Sequence, residues 1–354
     1  NPGSKFMYQG IYKNGSYHNE ESILPSIPMY FGLIEEEKTT HMLKTFASHE
    51  YTADWGVRMT SIHNPNYHPQ GYHSGAVWPL YSGWVALAEY KYHRPLQGFG
   101  HIMSNLNNYR DFSLGYTEEV LNGEKYLPSG VCPHQCWSET MVLQPIIEGM
   151  LGIIPDADDD VLGFYPTIPF EWNQIEVNNI RVGQRIVGFK MKRTNDSTTY
   201  TFTGDIEGLY IHFEPAFQQG TAESRQVNGI VLFTYVDQKF AKASFFQSKF
   251  KANEPITVPH QGGISLIPPI EKPAKGEQSR GIRIIDATWK DNTYTIEVEG
   301  APAMSYELEV INNFGTPKAV EGATYREEGN RLFLEIGFPA LNRVYMPGTI
   351  KIRF

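Results

Sequence analysis

Residues 71–92, GYHSGAVWPLYSGWVALAEYKY, decide the fold of the first half of the chain. The segment from Ala76 to Tyr92 is apolar nearly all round, which is typical of a helix that is buried on every side. Pro79 fixes φ and suits the first turn of a helix, while the glycines before it relieve backbone strain. The sequence therefore predicts a buried helix that starts beside a loop rich in aromatic side chains.

Further helices are predicted on both sides of this segment. The segment 35–49 is amphipathic, and the other segments carry apolar residues at helical spacing. Buried helices that alternate with amphipathic ones are typical of an inner and an outer ring. We therefore expect part of a layered helical barrel, whose remaining predicted helices are 22–34, 35–49, 96–109 and 134–151.

After residue 160 the hydrophobic period changes to two, which predicts half-buried antiparallel strands. The segment 267–281 is rich in proline, lysine and glycine and predicts a linker between two β modules. The fold class is therefore α+β and multidomain, with a partial (α/α)6 barrel followed by antiparallel β-sandwich modules. The expected domains are 1–160 (helical), 161–270 (β-sandwich-like) and 271–354 (a small C-terminal sandwich).

Composition narrows the class of protein. The chain has 354 residues, of which 41% are hydrophobic and 19% charged, as in ordinary globular domains. A formal charge of −9 disfavours a nucleic-acid partner, and the absence of a run of about 18 apolar residues disfavours a membrane span. The opening residues NPGSKF contain neither an initiator methionine nor a signal-peptide pattern. We therefore expect an internal cut that leaves localisation undetermined.

Aromatic residues of the first half gather in two long loops, 51–74 and 112–133, and at the starts of the helices that follow them. Sugars stack their C–H faces on aromatic rings and exchange hydrogen bonds with arginine, histidine and amide side chains. For Trp78 and Trp137 the alternative is a core position, because both residues open apolar helices. The candidate carbohydrate-binding residues are Trp55, Arg58, Tyr67, Tyr72, His73, Trp78, Gln135 and Trp137.

Carboxylates that could act as a general base lie in the second of these loops. The stretch 115–130, GYTEEVLNGEKYLPSG, places Glu118 and Glu119 among tyrosines and glycines. A general base needs a carboxylate held beside a hydrogen-bonding wall with room for a water molecule. Glu119 is our candidate, with Glu118 as the alternative base, and both compete with the interpretation of a solvated loop glutamate. Asp54 is a further candidate that equally fits a turn.

Metal and cofactor motifs give weaker matches. Cys132, His134 and Cys136 resemble part of a zinc site, but no second ligand pair accompanies them. The acidic run 154–160, IPDADDD, lacks the glycine and the final glutamate of a calcium-binding EF-hand loop. The sequence contains neither a phosphate-binding glycine loop nor a nucleophile elbow. We therefore expect no metal and no cofactor.

Several motifs in a fixed order resemble the C-terminal half of (α/α)6-barrel, or six-hairpin, glycoside hydrolases. The similar group is the amylo-α-1,6-glucosidase or glycogen-debranching type, related to the α-glucosidases of glycoside hydrolase family 63. The resemblance covers residues 20 to about 190 and leaves the last 80 residues unmatched. The motifs are ADWGVRMTSIHNPNY (53–67), GYHSGAVWP (71–79), EEVLNG (118–123), CPHQCWS (132–138), MLGIIPDA (150–157), FYPTIPFEW (164–172) and IRVGQRIVGF (180–189).

This resemblance implies an inverting hydrolase of α-glucosidic linkages in an oligo- or polysaccharide. It places the general base at Glu119, within an E-x-x-x-G loop, and part of the substrate wall at Tyr72, His73 and Trp78. The family's general acid lies upstream of the matched segment. We therefore expect a fragment whose other half-barrel is supplied in cis or as a separate chain. A periplasmic or other extracytoplasmic location would suit such an enzyme.

Two other functions remain open at this point. A non-catalytic carbohydrate-binding or scaffolding protein derived from the same fold would account for the large β portion and the missing acid. A phosphorolytic enzyme would need a cluster of cationic side chains beside the base, and the loop offers only Lys125. All three functions share a carbohydrate as partner.

Overall fold

The structure is a computed structural model that describes residues 5–221, 232–236, 240–247, 250–341 and 344–354. It is an α+β protein, with its helices in the first 150 residues and antiparallel sheets dominating the remainder. A 3₁₀ turn over Asn107–Arg110 and a π-helical turn over Pro145–Met150 extend two of the helices. The five α-helices of the described residues are α1 (Ser26–Tyr30), α2 (Glu36–Ala47), α3 (Pro79–Lys91), α4 (Pro95–Leu106) and α5 (Cys136–Gln144).

Helix α3 is the centre of the helical unit and contacts α1, α4 and α5. Most of its residues are buried, which confirms the prediction from its apolar sequence. It begins at Pro79 rather than at Ala76, because Val77 pairs with the backbone of Leu121 and Trp78 is extended. No helix of the described residues has the length and hydrophobicity needed to cross a bilayer. Whether these helices belong to half of a six-hairpin barrel stays a prediction.

Helix α1 is shorter than the segment 22–34 that predicted it. The backbone N–H of Ile23 donates to the carbonyl of Met59, so the chain before α1 pairs with a neighbouring loop. Gly32 has a φ of +66°, a conformation that ends a helix at low cost only for glycine. Pairing at one end and this glycine at the other leave a helix of five residues.

The first β unit consists of a six-stranded and a four-stranded sheet that pack through one core, to which α3 and α4 also contribute. The sheets are antiparallel except that β10 (Tyr210–Phe213) pairs with β6 (Val161–Phe164) in parallel, which corrects the prediction of purely antiparallel modules. A parallel pair needs a long crossover, and here the crossover runs through the four-stranded sheet. The strands are β5 (Ile153–Asp156), β6 (Val161–Phe164), β7 (Gln174–Val182), β8 (Arg185–Arg193), β9 (Ser197–Gly204), β10 (Tyr210–Phe213), β11 (Ala216–Phe217), β12 (Leu232–Val236), β13 (Phe240–Gln247) and β14 (Ile256–Pro259).

The second β unit is a pair of antiparallel four-stranded sheets around a separate core. Its inward side chains alternate along the strands as their sequence period predicts. The strands are β15 (Ile264–Leu266), β16 (Arg283–Lys290), β17 (Thr293–Gly300), β18 (Ser305–Asn312), β19 (Ala319–Glu321), β20 (Thr324–Glu328), β21 (Arg331–Gly337) and β22 (Met346–Arg353). Four two-residue strands lie in the helical unit, namely β1 (Gly10–Ile11), β2 (Tyr17–His18), β3 (Thr52–Ala53) and β4 (Gly56–Val57).

Strand pairing crosses the proposed domain boundaries by a few residues. Strand β5 joins the first β unit although it precedes residue 161, and β15 joins the second although it precedes residue 271. The β unit to which a strand belongs is decided by its pairing and not by the amino-acid composition of the segment. The reason is that each strand must satisfy its backbone hydrogen-bonding groups in a sheet. The three-domain division itself remains a proposal.

Buried charges join the helical unit to the second β unit. Arg94 at the start of α4 contacts Glu89 of α3 at 2.5 Å and Asp286 of β16 at 3.2 Å. Asp54 pairs with Arg283 of β16 at 2.6 Å. Charges removed from water in this way need each other as partners, so these contacts tie the helical unit to the second β unit.

The segment predicted as a linker is bonded to the helical unit. The backbone of Tyr126 exchanges hydrogen bonds of 2.9 Å with Gly276 and Glu277. Asp54 accepts hydrogen bonds from the N–H groups of Arg280 and Gly281. The segment 267–281 therefore supports the loop that contains Glu119 and is not a free tether between modules.

Candidate functional site

A ladder of backbone bridges arranges the loops around the N-terminal end of α3. Arg58 pairs with Val77, Val77 with Leu121, and Leu121 with Pro128. The hydrogen bonds between Val77 and Leu121 measure 2.8 and 2.9 Å. These pairs hold the two long loops predicted from the sequence side by side. Leu121, the residue at the centre of the pairing, follows Glu119 by two positions in the chain.

Glu119 lies beside this ladder and is only 6% exposed. Its backbone N–H donates to the carbonyl of Cys132 at 2.9 Å. Its Oε1 accepts a hydrogen bond of 2.6 Å from the hydroxyl of Tyr72. A carboxylate anchored at both its backbone and its side chain has a fixed position, which is what a general base requires.

The hydrogen bond with Glu119 also changes the chemistry of Tyr72. It raises the pKa of Tyr72 to about 12, because the phenol donates its proton to a carboxylate that would repel a phenolate. Tyr72 is 38% exposed, so part of the residue is accessible to a ligand. Tyr72 therefore connects the buried carboxylate to the protein surface.

The ring of Tyr72 belongs to a cluster of contacting aromatic rings. We call this cluster the aromatic wall; it consists of Tyr72, His73, Trp78, Tyr81 and Trp137. The ring of Trp78 lies 4.5 Å from Tyr72 and 5.9 Å from His73, stacked nearly parallel with the latter. The centroids of Trp78 and Trp137 are 6.3 Å apart. Trp78 is buried and donates from Nε1 to the carbonyl of Tyr72 at 2.7 Å. Its burial favours the alternative of a core position and corrects the expectation that its ring binds the sugar.

Two of the predicted carbohydrate-binding residues, Gln135 and Trp137, lie at the start of α5. Trp137 is 43% exposed, which excludes the alternative of a core position for this residue, whereas Trp78 is buried. Gln135 is partly exposed, and its backbone N–H donates to the carbonyl of Thr117 at 3.2 Å. The first turn of α5 is therefore held against the loop that carries Glu119.

Glu118 has a different environment from its neighbour. It is buried, and its Oε1 accepts a hydrogen bond of 3.3 Å from Ser113. Burial raises the pKa of Glu118, with the hydrogen bond from Ser113 opposing the shift. The structure gives the contact with the aromatic wall to Glu119 and not to Glu118.

Trp55 and Arg58 do not lie in the aromatic wall, which corrects their expected place. Trp55 is 1% exposed and donates from Nε1 to the carbonyl of Asn122 at 2.8 Å. The buried guanidinium of Arg58 donates to two backbone carbonyls, that of Gly123 at 2.7 Å and that of His49 at 3.0 Å. Burial leaves neither side chain a face for a ligand, so both residues support the loop from behind.

Tyr67 is also part of this support. A Cβ added to Gly75 would lie 2.7 Å from the ring of Tyr67, and one added to Gly123 would lie 2.7 Å from its hydroxyl. The two glycines therefore let the loops close on Tyr67. The hydroxyl itself is buried, beside the charge of Arg58.

The remaining sequence candidates have structural partners. The thiol of Cys132 donates to the carbonyl of His134 at 2.9 Å, and no group of three or more metal-binding side chains occurs within the described residues. Asp156 accepts from the N–H groups of Asp158 and Asp159, as in an ordinary polar turn. Asp54 is buried against Arg283 and cannot serve as a base beside the aromatic wall.

Two features of the site were not predicted from the sequence. One is Tyr81, whose ring meets that of Trp78 at 5.8 Å. The other is the bond between Tyr72 and Glu119, which are 47 residues apart. Tyr81 follows Trp78 by three residues, a helical spacing that could have indicated a shared face, whereas no spacing rule indicates the bond.

Comparisons with known proteins give only remote structural likenesses. No protein-family model matches the chain. No curated protein matches it either. Among solved structures, an uncharacterized conserved protein from Thermus thermophilus is 15% identical, with a TM-score of 0.36 over 40% of this chain and 34% of that one.

A second solved structure is a GH63 mannosylglycerate hydrolase from the same organism in complex with glucose. It is 15% identical, with a TM-score of 0.36, over 41% of this chain and 35% of that one. The complex of that hydrolase with Tris gives 14% identity and a TM-score of 0.34, over 41% of this chain and 34% of that one. The chain spans about a third of the length of these structures. Likenesses this remote carry no argument about function, which rests on the geometry of the site.

Proposed function

We propose that this protein acts on carbohydrates, as an inverting glycoside hydrolase of α-glucosidic linkages with Glu119 as its general base. The observation that carries the proposal is the 2.6 Å hydrogen bond from Tyr72 to Glu119 at the edge of the aromatic wall. It joins a fixed carboxylate, suited to activate a water molecule, to the partly exposed Tyr72, suited to contact a sugar. The motifs that resemble six-hairpin glycosidases point to the same residue.

Glu119 would remove a proton from a water molecule as that water attacks the anomeric carbon. Tyr72 already donates to Oε1, so the second carboxylate oxygen, Oε2, is the natural acceptor for the water. The ring faces of Tyr72 and Trp137 would stack on the sugar and orient it. Attack from the side opposite the leaving group inverts the configuration.

Inversion also needs a general acid, about 6.5–9.5 Å from the base. Glu118 is unsuited to that role because it contacts Ser113 and not the aromatic wall. We propose that the acid comes from the other half of a helical barrel, in cis or as a separate chain. In support, Leu143 in the last turn of α5 and Ile147 in the turn after it are exposed apolar side chains, a surface suited to packing against further helices.

The test compares the full gene product with its Glu119→Gln variant on α-glucosides. General bases contribute about 10²–10⁴-fold, so we expect kcat to fall by that factor while KM changes little. Glu118→Gln is the matched control and should retain most of the activity. NMR of the first product should show the β-anomer. Undiminished hydrolysis by Glu119→Gln would reject Glu119 as the base.

The alternative is a carbohydrate-binding or scaffolding protein without catalysis. It is favoured by the size of the two β units, which comprise most of the chain after residue 152. In that case the full gene product would bind oligosaccharides through the aromatic wall but release no reducing sugar. Binding that is lost in Trp137→Ala, without hydrolysis by the wild type, would decide for this alternative.

A further inference from the structure

A groove lies at the opposite end of α3 from the aromatic wall. Helix α3 has 13 residues, so its ends are about 18 Å apart. The groove has a volume of about 710 Å³, within the range of ligand sites, and opens between the helical unit and the first β unit. We call it the lower groove; the lining residues that matter here are Tyr30, Phe31, Lys91, Glu148, Tyr165 and Glu214.

One side of the lower groove is aromatic. The ring of Tyr30 lies 4.9 Å from that of Phe31 and 5.5 Å from that of Trp84. Phe31 is 59% exposed, although it is a large apolar side chain. The hydroxyl of Tyr30 donates to Glu148, so this side combines ring faces with a fixed carboxylate. Flat apolar faces next to fixed acceptors suit the C–H face and the hydroxyls of a sugar ring.

The other side carries a chain of hydrogen bonds. Glu214 contacts Nε2 of His212 at 2.8 Å, and Nδ1 of His212 contacts the hydroxyl of Tyr165 at 3.0 Å. A carboxylate only accepts, so Nε2 carries the proton in neutral His212 and Nδ1 accepts from Tyr165. The oxygen of Tyr165 is thereby left to accept a hydrogen bond rather than to donate one.

The charges of the lower groove indicate what kind of ligand fits. Two carboxylates, Glu148 and Glu214, line one cavity together with Lys91. The two carboxylates would repel an anionic ligand. A purely apolar ligand would displace water from the carboxylates without replacing the hydrogen bonds that the water makes. A neutral ligand with many hydroxyls satisfies donors and acceptors of both kinds.

We propose that the lower groove is a second carbohydrate-binding site, which takes a neutral oligosaccharide independently of Glu119. It rests on the proposed function only in that the chain handles sugars. A second site that retains a polymer near the reaction centre would raise the local substrate concentration without taking part in the chemistry.

The test is a calorimetric titration of the protein with maltoheptaose as the probe. We expect two binding sites in the wild type. Phe31→Ala should remove one of them, and Tyr165→Phe should weaken the same one by about tenfold through loss of a hydrogen bond. Leu33→Ala is the matched control, because Leu33 is 75% exposed near Phe31 but does not line the groove. Trp137→Ala should weaken the other site.

A single site that disappears with Trp137→Ala would overturn the inference, as would two sites that survive both Phe31→Ala and Tyr165→Phe. Circular dichroism identifies any variant that fails to fold, and Leu33→Ala shows whether this surface tolerates truncation. The two proposals fail separately. Unchanged hydrolysis by Glu119→Gln would reject the base while leaving binding in the lower groove intact. Leu33→Ala, outside both sites, should hydrolyse a short p-nitrophenyl α-glucoside at the wild-type rate.

Discussion

The hydroxyl of Tyr72 donates a hydrogen bond of 2.6 Å to Oε1 of Glu119. The two residues come from different loops, and the ladder of bridges from Arg58 to Pro128 brings them together. The bond holds one oxygen of the Glu119 carboxylate in place. The proposed catalytic role of Glu119 depends on this arrangement.

Removal of the Tyr72 hydroxyl should weaken catalysis without abolishing it. In Tyr72→Phe the ring remains for stacking, but Glu119 loses a hydrogen bond to its charged form, which is worth about 1.5–3 kcal/mol. We expect kcat to fall by about 10- to 100-fold with a smaller change in KM, measured by steady-state kinetics. His73→Phe, which leaves this bond intact, is the control. An equal loss in both variants would show that the aromatic wall, and not the bond, is responsible.

The same bond predicts the titration of Tyr72. Its pKa is raised from 10.0 to about 12, so the phenol should stay neutral at pH 10 and ionise near pH 12. The folded state holds the proton more tightly than the unfolded chain, so this contribution to stability is complete below about pH 10 and declines as the pH rises through about 12. NMR of tyrosines labelled at the ζ carbon can follow Tyr72. In Glu119→Gln its pKa should return towards 10.0; an unaltered value would exclude Glu119 as the cause.

Two tryptophans should respond to truncation in opposite ways. Trp55 is 1% exposed, so Trp55→Ala should lower the free energy of unfolding by about 3–5 kcal/mol. Trp137 is 43% exposed, so Trp137→Ala should leave stability nearly unchanged but weaken oligosaccharide binding. Urea denaturation and calorimetric titration measure the two effects. A Trp55→Ala protein that is as stable as the wild type but binds oligosaccharides more weakly would show that Trp55 contacts the ligand rather than supporting the loop.

The ion pair between Asp54 and Arg283 should be costly to break from one side. Asp54→Ala leaves a buried guanidinium without its counter-charge, and we expect a loss of about 3–5 kcal/mol in the free energy of unfolding. The double variant Asp54→Leu with Arg283→Met should recover much of that loss, because no unpaired charge remains. A double variant as unstable as Asp54→Ala would show that packing dominates.

The contribution of the ion pair between Asp54 and Arg283 to stability should decrease in acid. Burial alone would raise the pKa of Asp54, but the charge of Arg283 and the N–H groups of Arg280 and Gly281 outweigh burial and lower it. Its contribution to stability is therefore present above the pKa of an unfolded aspartate, about 3.8, and is lost as the pH falls through the lower folded value. In the double variant this part of the pH dependence should be absent from denaturation curves recorded between about pH 2 and pH 5.

The sequence by itself determined the nature of the main elements. The run after Pro79 is apolar on nearly all sides of a helix, which predicts a buried helix, and most residues of α3 are buried. The period of two after residue 160 identified strands β17, β18 and β21, because alternate side chains of a half-buried strand must differ in polarity. Local periodicity depends only on neighbours in the chain, so one sequence is enough to detect it.

Only the tertiary structure decided which loop residues face solvent and which meet. Trp55 and Tyr72 lie in the same polar loop region, yet one supports the core and the other reaches the surface. The contact of Tyr72 with Glu119, the support of the loop by the segment 267–281 and the parallel pairing of β10 with β6 all join distant parts of the chain. Such contacts are fixed by the packing of the whole fold, and no local pattern in the sequence encodes them.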